Sequence, residues 1–166
     1  LLLACGVPVV AIEKAARAFQ PLEHRVQQCA ESKGVVFIND SKATNLSALA
    51  AAVQMQRGPV RLIAGGQLKE KNLNLVKEIL AEKTAGLYLI GESALTMHNA
   101  WHDVCECRRF QTLEQATRAA WEDAQSGDVI LLSPGCASFD QFDNFEQRGE
   151  RFMVLARSLV EGEVRS

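Results

Sequence analysis

Three short stretches hold most of the residues that could do chemistry. Asn39-Asp40-Ser41-Lys42-Ala43-Thr44-Asn45 packs amides, a carboxylate, hydroxyls and an amine into seven consecutive positions. Gly65-Gly66-Gln67-Leu68-Lys69 follows a glycine pair with a second lysine, and Ser133-Pro134-Gly135-Cys136-Ala137-Ser138-Phe139-Asp140 adds hydroxyls and a further acid. Lys42 and Lys69 supply fixed positive charge, and Thr44 and Ser138 supply hydroxyl groups. Such a set suits a small acidic ligand with one or two carboxylates. An average lysine is simply solvated, but these two come directly after apolar runs that read as buried strands.

Asp40 suits either ribose hydroxyls or the capping of its own loop, and Arg25 either a phosphate or a neighbouring acid. His98 and His102 stand at i, i+4 with Cys105 nearby, a spacing found in metal pairs. No third ligand motif accompanies them, so no metal site is expected. The glycine pair is not a P-loop, because G-x-x-x-x-G-K-[ST] is absent from the chain, and no G-x-G-x-x-G is present either. Read alone, it is a tight strand-to-helix turn. No Ser/His/Asp or Cys/His arrangement stands out, so the chain does not carry a complete catalytic apparatus.

What must position these stretches is a series of alternating strands and helices. Val35-Val36-Phe37-Ile38 is a continuous apolar run rich in β-branched residues, as expected of a strand covered on both faces in a parallel sheet, here over 35–39. A helix over 46–55 follows, with Leu46, Leu49 and Val53 on its buried face. Further strands are expected at 60–64, 85–90, 104–110 and 129–132. Helices are expected at 73–83, 93–102, 113–125 and 145–160, the last with Gly149 inside it or between two helices. Residues 26–30 read as a short strand and Glu31-Ser32-Lys33-Gly34 as a turn. Cys105 and Cys107 are expected on one face of the 104–110 strand. The alternation predicts an α/β fold, a doubly wound, mostly parallel, Rossmann-like sheet with helices on both faces. All three chemical stretches follow strands, so they should converge at the carboxyl edge of the sheet, where such folds bind ligands.

The 166 residues suit one ordinary domain, and 48% hydrophobic with 23% charged residues is the composition of a soluble globular protein. A net charge of −2 gives no electrostatic case for nucleic acid or an anionic membrane surface. The apolar runs are too short to span a bilayer. Five cysteines, odd in number and without a C-x-x-C pair, indicate neither a disulfide framework nor a thiolate zinc site. Reduced thiols in a cytoplasmic setting are expected. The opening Leu1-Leu2-Leu3-Ala4-Cys5-Gly6-Val7-Pro8 lacks the basic start of a signal peptide. Residues 1–20, with Val9, Ile12, Ala16 and Phe19 at helical spacing, read as helix and linker from a preceding domain. Pro21 interrupts that helix and sets the boundary, leaving 21–166 as the domain proper.

With these residues in place, the chain resembles the Mur ligase family. The resemblance rests on N-D-S-K-A-T-N after the first apolar strand, A-G-G-x-x-K after the next, L-E-H-R at 22–25, and L-S-P-G-C-A-S-F-D-Q-F-D-N-F-E-Q-R-G from Leu132 to Gly149. It covers essentially the whole chain in order. The last motif is highly specific, whereas A-G-G-x-x-K alone would be weak. Gly135 departs from the family pattern, which has alanine there, a change that should leave the chemistry undisturbed. N-D-S-K-A-T-N favours the branch that adds D-glutamate. Branches adding L-alanine, diaminopimelate or lysine, or D-Ala-D-Ala typically carry D-Y-x-H-x-P or D-x-Y-N-A-N-P in its place.

The resemblance implies the third domain of a three-domain, ATP-dependent acid–D-amino-acid ligase of peptidoglycan precursor synthesis, with residues 1–20 a remnant of the central ATPase domain. ATP would phosphorylate the carboxylate of UDP-N-acetylmuramoyl-L-alanine. The amine of D-glutamate would attack the acyl phosphate, and a tetrahedral intermediate would collapse with loss of phosphate. Thr44, Lys69, Ser138 and Phe145 match positions that hold the D-glutamate carboxylates, and Lys42 matches a basic residue of the same pocket. Arg25 and Asp40 match positions that reach the nucleotide's phosphates and ribose. ATP and Mg2+ would be held mainly by the central domain. The partners would be the protein's own central and N-terminal domains, in a cytoplasmic bacterial monomer that meets neither nucleic acid nor membrane, and the isolated chain would be inactive. The alternatives are the same domain of a sister Mur ligase, a free-standing α/β module that binds a small acidic metabolite, and a purely structural domain.

Overall fold

The computed structural model describes residues 3–18 and 22–164. Pro21, the boundary placed at it, and Phe19 of the opening apolar spacing lie outside the described residues. A single 3-10 turn over Leu3–Cys5 leads into α1 (Val9–Ala18), whose Val9 and Val10 are exposed. From there the strands are β1 (Gln27–Ser32), β2 (Val35–Asn39), β3 (Val60–Gly65), β4 (Thr84–Ile90), β5 (Cys107–Arg109) and β6 (Val129–Leu132). The helices between and after them are α2 (Leu46–Gln54), α3 (Lys77–Lys83), α4 (Ala94–Trp101), α5 (Leu113–Glu122) and α6 (Phe145–Val164). One sheet in the order β1-β2-β6-β3-β4-β5 runs through the molecule, parallel except for β1, which pairs antiparallel with β2. The doubly wound, mostly parallel α/β sheet is therefore the fold.

Alternation along the central strands divides the core in two. Leu62 and Ala64 of β3, Leu87 and Leu89 of β4 and Leu131 of β6 face α2, α3 and α4, which contribute Leu49, Val53, Leu80, Met97 and Trp101. Phe37, Ile63, Tyr88, Ile130 and Leu132 face the other way, against Leu113 and Ala116 of α5 and Phe152 and Ala156 of α6. Strands buried on both faces are apolar at nearly every position. The exception on β3, Arg61, pairs with Asp128 at 2.6 Å and donates to the Tyr88 hydroxyl at 3.1 Å. α2 starts where Asn45, in extended conformation, accepts a hydrogen bond from Ala48 N at 2.8 Å and so satisfies one of the helix's orphan amides.

Four elements differ from the sequence expectation. β1 runs on to Ser32, so the turn shrinks to Lys33-Gly34; both residues have positive φ, +51° and +77°, the backbone of a two-residue hairpin turn. β5 is confined to Cys107–Arg109. Residue 104 is still tied to the end of α4 by Val104 N donating to Trp101 O at 2.9 Å. Cys105 therefore precedes the strand, 3.3 Å from Thr84 Oγ1, although it packs against the same core as Cys107. The helix expected at 73–83 begins as a 3-10 turn over Leu73–Val76, and α5 stops at Glu122, where Ala124 N bonds to Trp121 O in a tighter turn.

α6 is one continuous helix with Gly149 inside it. The reason is packing: a Cβ at 149 would lie 2.3 Å from Nδ1 of His24, whose buried ring is held 2.9 Å from Asn39 Nδ2. Alanine would gain about 1 kcal/mol of helix propensity but overpack this contact at a cost of up to about 3 kcal/mol. We expect Gly149→Ala to lower the unfolding free energy by about 1–2 kcal/mol in urea. A variant as stable as the parent would mean that the His24 ring yields freely.

Candidate functional site

β2, β6 and β3 are neighbours in the sheet, so the stretches that leave their carboxyl ends must lie side by side. Backbone hydrogen bonds stitch them together. Asp40 N donates to Leu132 O at 2.8 Å, Gly65 N to Pro134 O at 2.9 Å, and Gly135 N to Ala43 O at 2.9 Å. Gln67 and Ala137 exchange a pair of bonds at 2.8 and 3.0 Å, a one-rung bridge between the second and third loops. That approach needs Gly66, which has φ +130° and where any Cβ would stand 2.4 Å from Ala137 O. Gly135, the departure from the family pattern, adopts φ +65°, a conformation that glycine takes without strain.

At the end of β2 the chain turns through three buried polar residues, each bonded to a different part of the molecule. Asn39 Nδ2 contacts His24 Nδ1 and donates to Gly149 O at 3.3 Å, while its Oδ1 accepts from Ser41 N at 3.1 Å. Asp40 accepts from Val26 N at 3.2 Å through Oδ1 and from Ser133 Oγ at 2.8 Å through Oδ2. Ser41 Oγ donates to Phe145 O at 2.7 Å. Arg148, 1% exposed, reaches in from α6: its Nε donates to Ser41 Oγ at 3.0 Å, and its Nη2 to Ser41 O at 2.9 Å and Cys136 O at 3.1 Å. Burial pulls the Arg148 guanidinium down to about 10 and pushes the Cys136 thiol up to about 11, so that thiol is an inert packing group.

The seven residues singled out in the sequence fall into three groups. Lys42, Thr44 and Lys69 stand on the first two loops, Lys69 exposed and the other two half-buried. Lys42 Nζ sits 3.6 Å above the Phe145 ring, which meets His24 edge-on, so Lys42 and Phe145 form one unit. Ser138 is 2% exposed, with the exposed Phe139 next to it. Arg25 and Asp40 line a cavity of about 210 Å3 with Lys42, Ala48 and Met55. Arg25 is exposed there and suited to an anion. Asp40 has both oxygens bonded within the protein, and of its two sequence readings the loop-fixing one matches this geometry.

A larger open cavity of about 810 Å3 lies beside β4 and β5, lined by Gly91, Glu92, Arg109, Phe110, Asp140 and Gln141, and none of the seven residues borders it. His98 of α4 and His102, which caps that helix, stack at 5.8 Å, and among the described residues no three His, Cys, Asp or Glu groups come together as metal ligands. Nor is any described helix long and apolar enough to cross a membrane.

Sequence reasoning missed Arg148 and His24. Arg148 had a signal: it stands at i, i+4 and i+8 with Phe152 and Ala156, on the face of α6 that turns inward. An arginine on an apolar helical face, inside a polar motif, marks a buried charge. His24 lay inside the L-E-H-R motif, but its burial was not legible, because it depends on the turn at 24–26, where His24 and Val26 both have positive φ.

The fold is an α/β domain whose polar loops are knitted together at the carboxyl edge of the sheet. The family model described as Mur ligase, glutamate ligase domain, matches residues 24–136, and the chain belongs to that family. It is 40% identical over 157 residues to the UDP-N-acetylmuramoylalanine–D-glutamate ligase of Methylococcus capsulatus, across 95% of this chain and 34% of that protein. The enzyme of the same name from Chlorobium phaeobacteroides is 42% identical over 149 residues, 90% of this chain and 32% of its own length. The chain thus spans about a third of the length of the curated relatives it matches. A solved UDP-N-acetylmuramoyl-L-alanyl-D-glutamate–2,6-diaminopimelate ligase shares the fold, with a TM-score of 0.63 at 13% identity over 98% of this chain and 36% of that one.

The Asp40 corner has a pH signature. Burial pushes the Asp40 carboxyl above its usual range, opposed by the Ser133 hydroxyl, the Val26 amide and the Arg25 charge. A raised folded value favours the neutral form. Its contribution is therefore complete below the ordinary carboxyl range near about 4 and is lost as pH rises through the folded value. Asn at 40 can still accept from Val26 N and can donate to Ser133 Oγ without carrying charge. The stability of Asp40→Asn relative to the parent should therefore increase with pH across that window, read by urea unfolding at a series of pH values. Asp40→Ala, which loses both bonds, should cost about 1–3 kcal/mol. An advantage of Asn that shrinks with rising pH would contradict the desolvated carboxylate.

Proposed function

We propose that this chain is the C-terminal, amino-acid-binding domain of an ATP-dependent ligase that joins D-glutamate to UDP-N-acetylmuramoyl-L-alanine in peptidoglycan precursor synthesis. The observation that carries the reading is the convergence of the loops bearing Lys42, Thr44, Lys69 and Ser138 at one sheet edge. The names of its 38–42% identical relatives support the D-glutamate branch.

In this reading Lys69, Thr44 and Ser138 hold the D-glutamate carboxylates, and the Lys42–Phe145 pair walls the same pocket. Arg25 faces the nucleotide phosphates, and Asp40 serves the nucleotide by fixing the loop that carries Lys42. Once ATP has converted the acceptor carboxylate to an acyl phosphate, the task of these residues is to orient the amine and compensate the charge of the amino acid. ATP and Mg2+ belong mainly to another domain of the longer polypeptide, and no metal step is assigned to these residues. The setting is the bacterial cytoplasm, with the ligase's own preceding domains as partners.

The test is an NMR titration of the labelled chain with D-glutamate, using L-glutamate as control. Shifts at Thr44, Lys69 and Ser138 with D-glutamate alone support the reading. Equal shifts with both enantiomers favour a free-standing module sensing acidic metabolites. The isolated chain should show no ATP-dependent D-glutamate incorporation, and measurable incorporation would overturn the division of labour between domains.

A further inference from the structure

Arg148 is buried without a counter-ion. Its side chain is 1% exposed, and among the described residues no carboxylate lies within ion-pair distance of it. Its hydrogen bonds go to neutral groups, the hydroxyl and carbonyl of Ser41 and the carbonyl of Cys136. Its Nη1 is buried with no hydrogen-bond partner at all. The same Nη1 lies 3.3 Å from the place a Cβ on Gly66 would occupy, so the guanidinium bonds the first and third loops and lies close to the second. Asp140 is near enough to be felt by the charge, but its Oδ2 accepts from Glu92 N at 2.9 Å instead.

An unpaired buried cation is costly, and a hydrophobic side chain of similar volume would often serve stability better. The cost is accepted where the charge acts on something outside the protein's own pairings. The loops that Arg148 bonds and lies against carry Lys42, Thr44, Lys69 and Ser138, the residues assigned above to a doubly negative amino acid. We propose that Arg148 is a positioning residue that also holds a positive charge with no ion-pair partner among the three loops, and that this charge helps select an amino acid with two carboxylates over one with a single carboxylate. The inference rests on the ligase reading and deepens it. Arg148 does not touch the ligand; it acts through the loops and through its field, which protein screens less than water does.

The test uses the full-length ligase and compares the KM for D-glutamate with the competitive inhibition constant of D-glutamine, which lacks the side-chain carboxylate. Arg148→Met removes the charge at similar volume, and Arg148→Lys keeps the charge but loses the fork. In Arg148→Met the D-glutamate KM should rise about tenfold or more while the D-glutamine constant moves less than about threefold. In Arg148→Lys the preference should persist within about threefold of the parent even where kcat falls. A purely structural arginine would weaken both ligands equally in Arg148→Met, and that outcome overturns the proposal. Should Arg148→Met fail to fold, loss of the preference in Arg148→Lys overturns it. A parent enzyme that makes no product from D-glutamate overturns the ligase reading itself, and the proposal with it.

Discussion

Three consecutive buried polar residues, Asn39, Asp40 and Ser41, set the constraint on which the rest of the site depends. A strand buried on both faces ends here, and its last polar groups cannot reach water. Unpaired, each would cost about 1–3 kcal/mol. Each is satisfied by a different piece of chain: Asn39 by the 24 position and α6, Asp40 by Val26 and β6's exit, Ser41 by the start of α6. The corner's hydrogen bonds are complete only with those pieces in place, so the first loop, the third loop and α6 are tied together. Lys42 and Thr44, next along the chain, inherit their positions from that network.

The same corner shows where stability and function pull apart. Asp40 is desolvated, Arg148 is unpaired, and Glu70 has a buried Oε2 without a partner although its Oε1 accepts from Leu46 N at 3.1 Å. A sequence chosen for stability alone would remove such groups. In the two halves of the core away from this edge, the large buried side chains are apolar or, like Trp101 Nε1 on Leu73 O, hydrogen-bonded. The uncompensated polarity is gathered at the carboxyl ends of β2, β3 and β6, and that localisation argues for function more strongly than any single residue does.

How much of this was legible in the sequence follows from what each signal depends on. β2, β4 and β6 were readable because strands covered on both faces leave nearly unbroken apolar runs, and β3 was readable in spite of Arg61. β1, with Gln27, Gln28 and Glu31, was blurred because an edge strand may be polar, and its true end was hidden until the Lys33-Gly34 hairpin fixed it. β5 was overextended because Val104 and Cys105 are apolar for a reason other than strand pairing: they close a turn against the core. The convergence of the three loops was legible from their placement after strands, but the order β2-β6-β3 that makes them neighbours was not. It depends on β6, last in sequence, inserting between earlier strands. Asp40 was read as open to ligand or cap because sequence cannot show that Val26 and Ser133 occupy both its oxygens.

The shape of the site carries a last consequence. The cavity beside Arg25 and Lys42 is about 210 Å3, below the several hundred Å3 in which proteins usually enclose small ligands. On the second and third loops Lys69 and Phe139 stand exposed, the latter 67% open to solvent. A charged ligand held only from this side would keep most of its hydration, and each lysine contact would be worth little in water. The corner residues and Arg148 are buried and bonded, whereas Arg25, Lys69 and Phe139 are exposed. A surface that prepares its floor and leaves its walls open gains strength only when a second body covers it and excludes water. In the proposed ligase, the orienting power of these loops would therefore belong to an assembly closed over them, with this domain supplying the prearranged half.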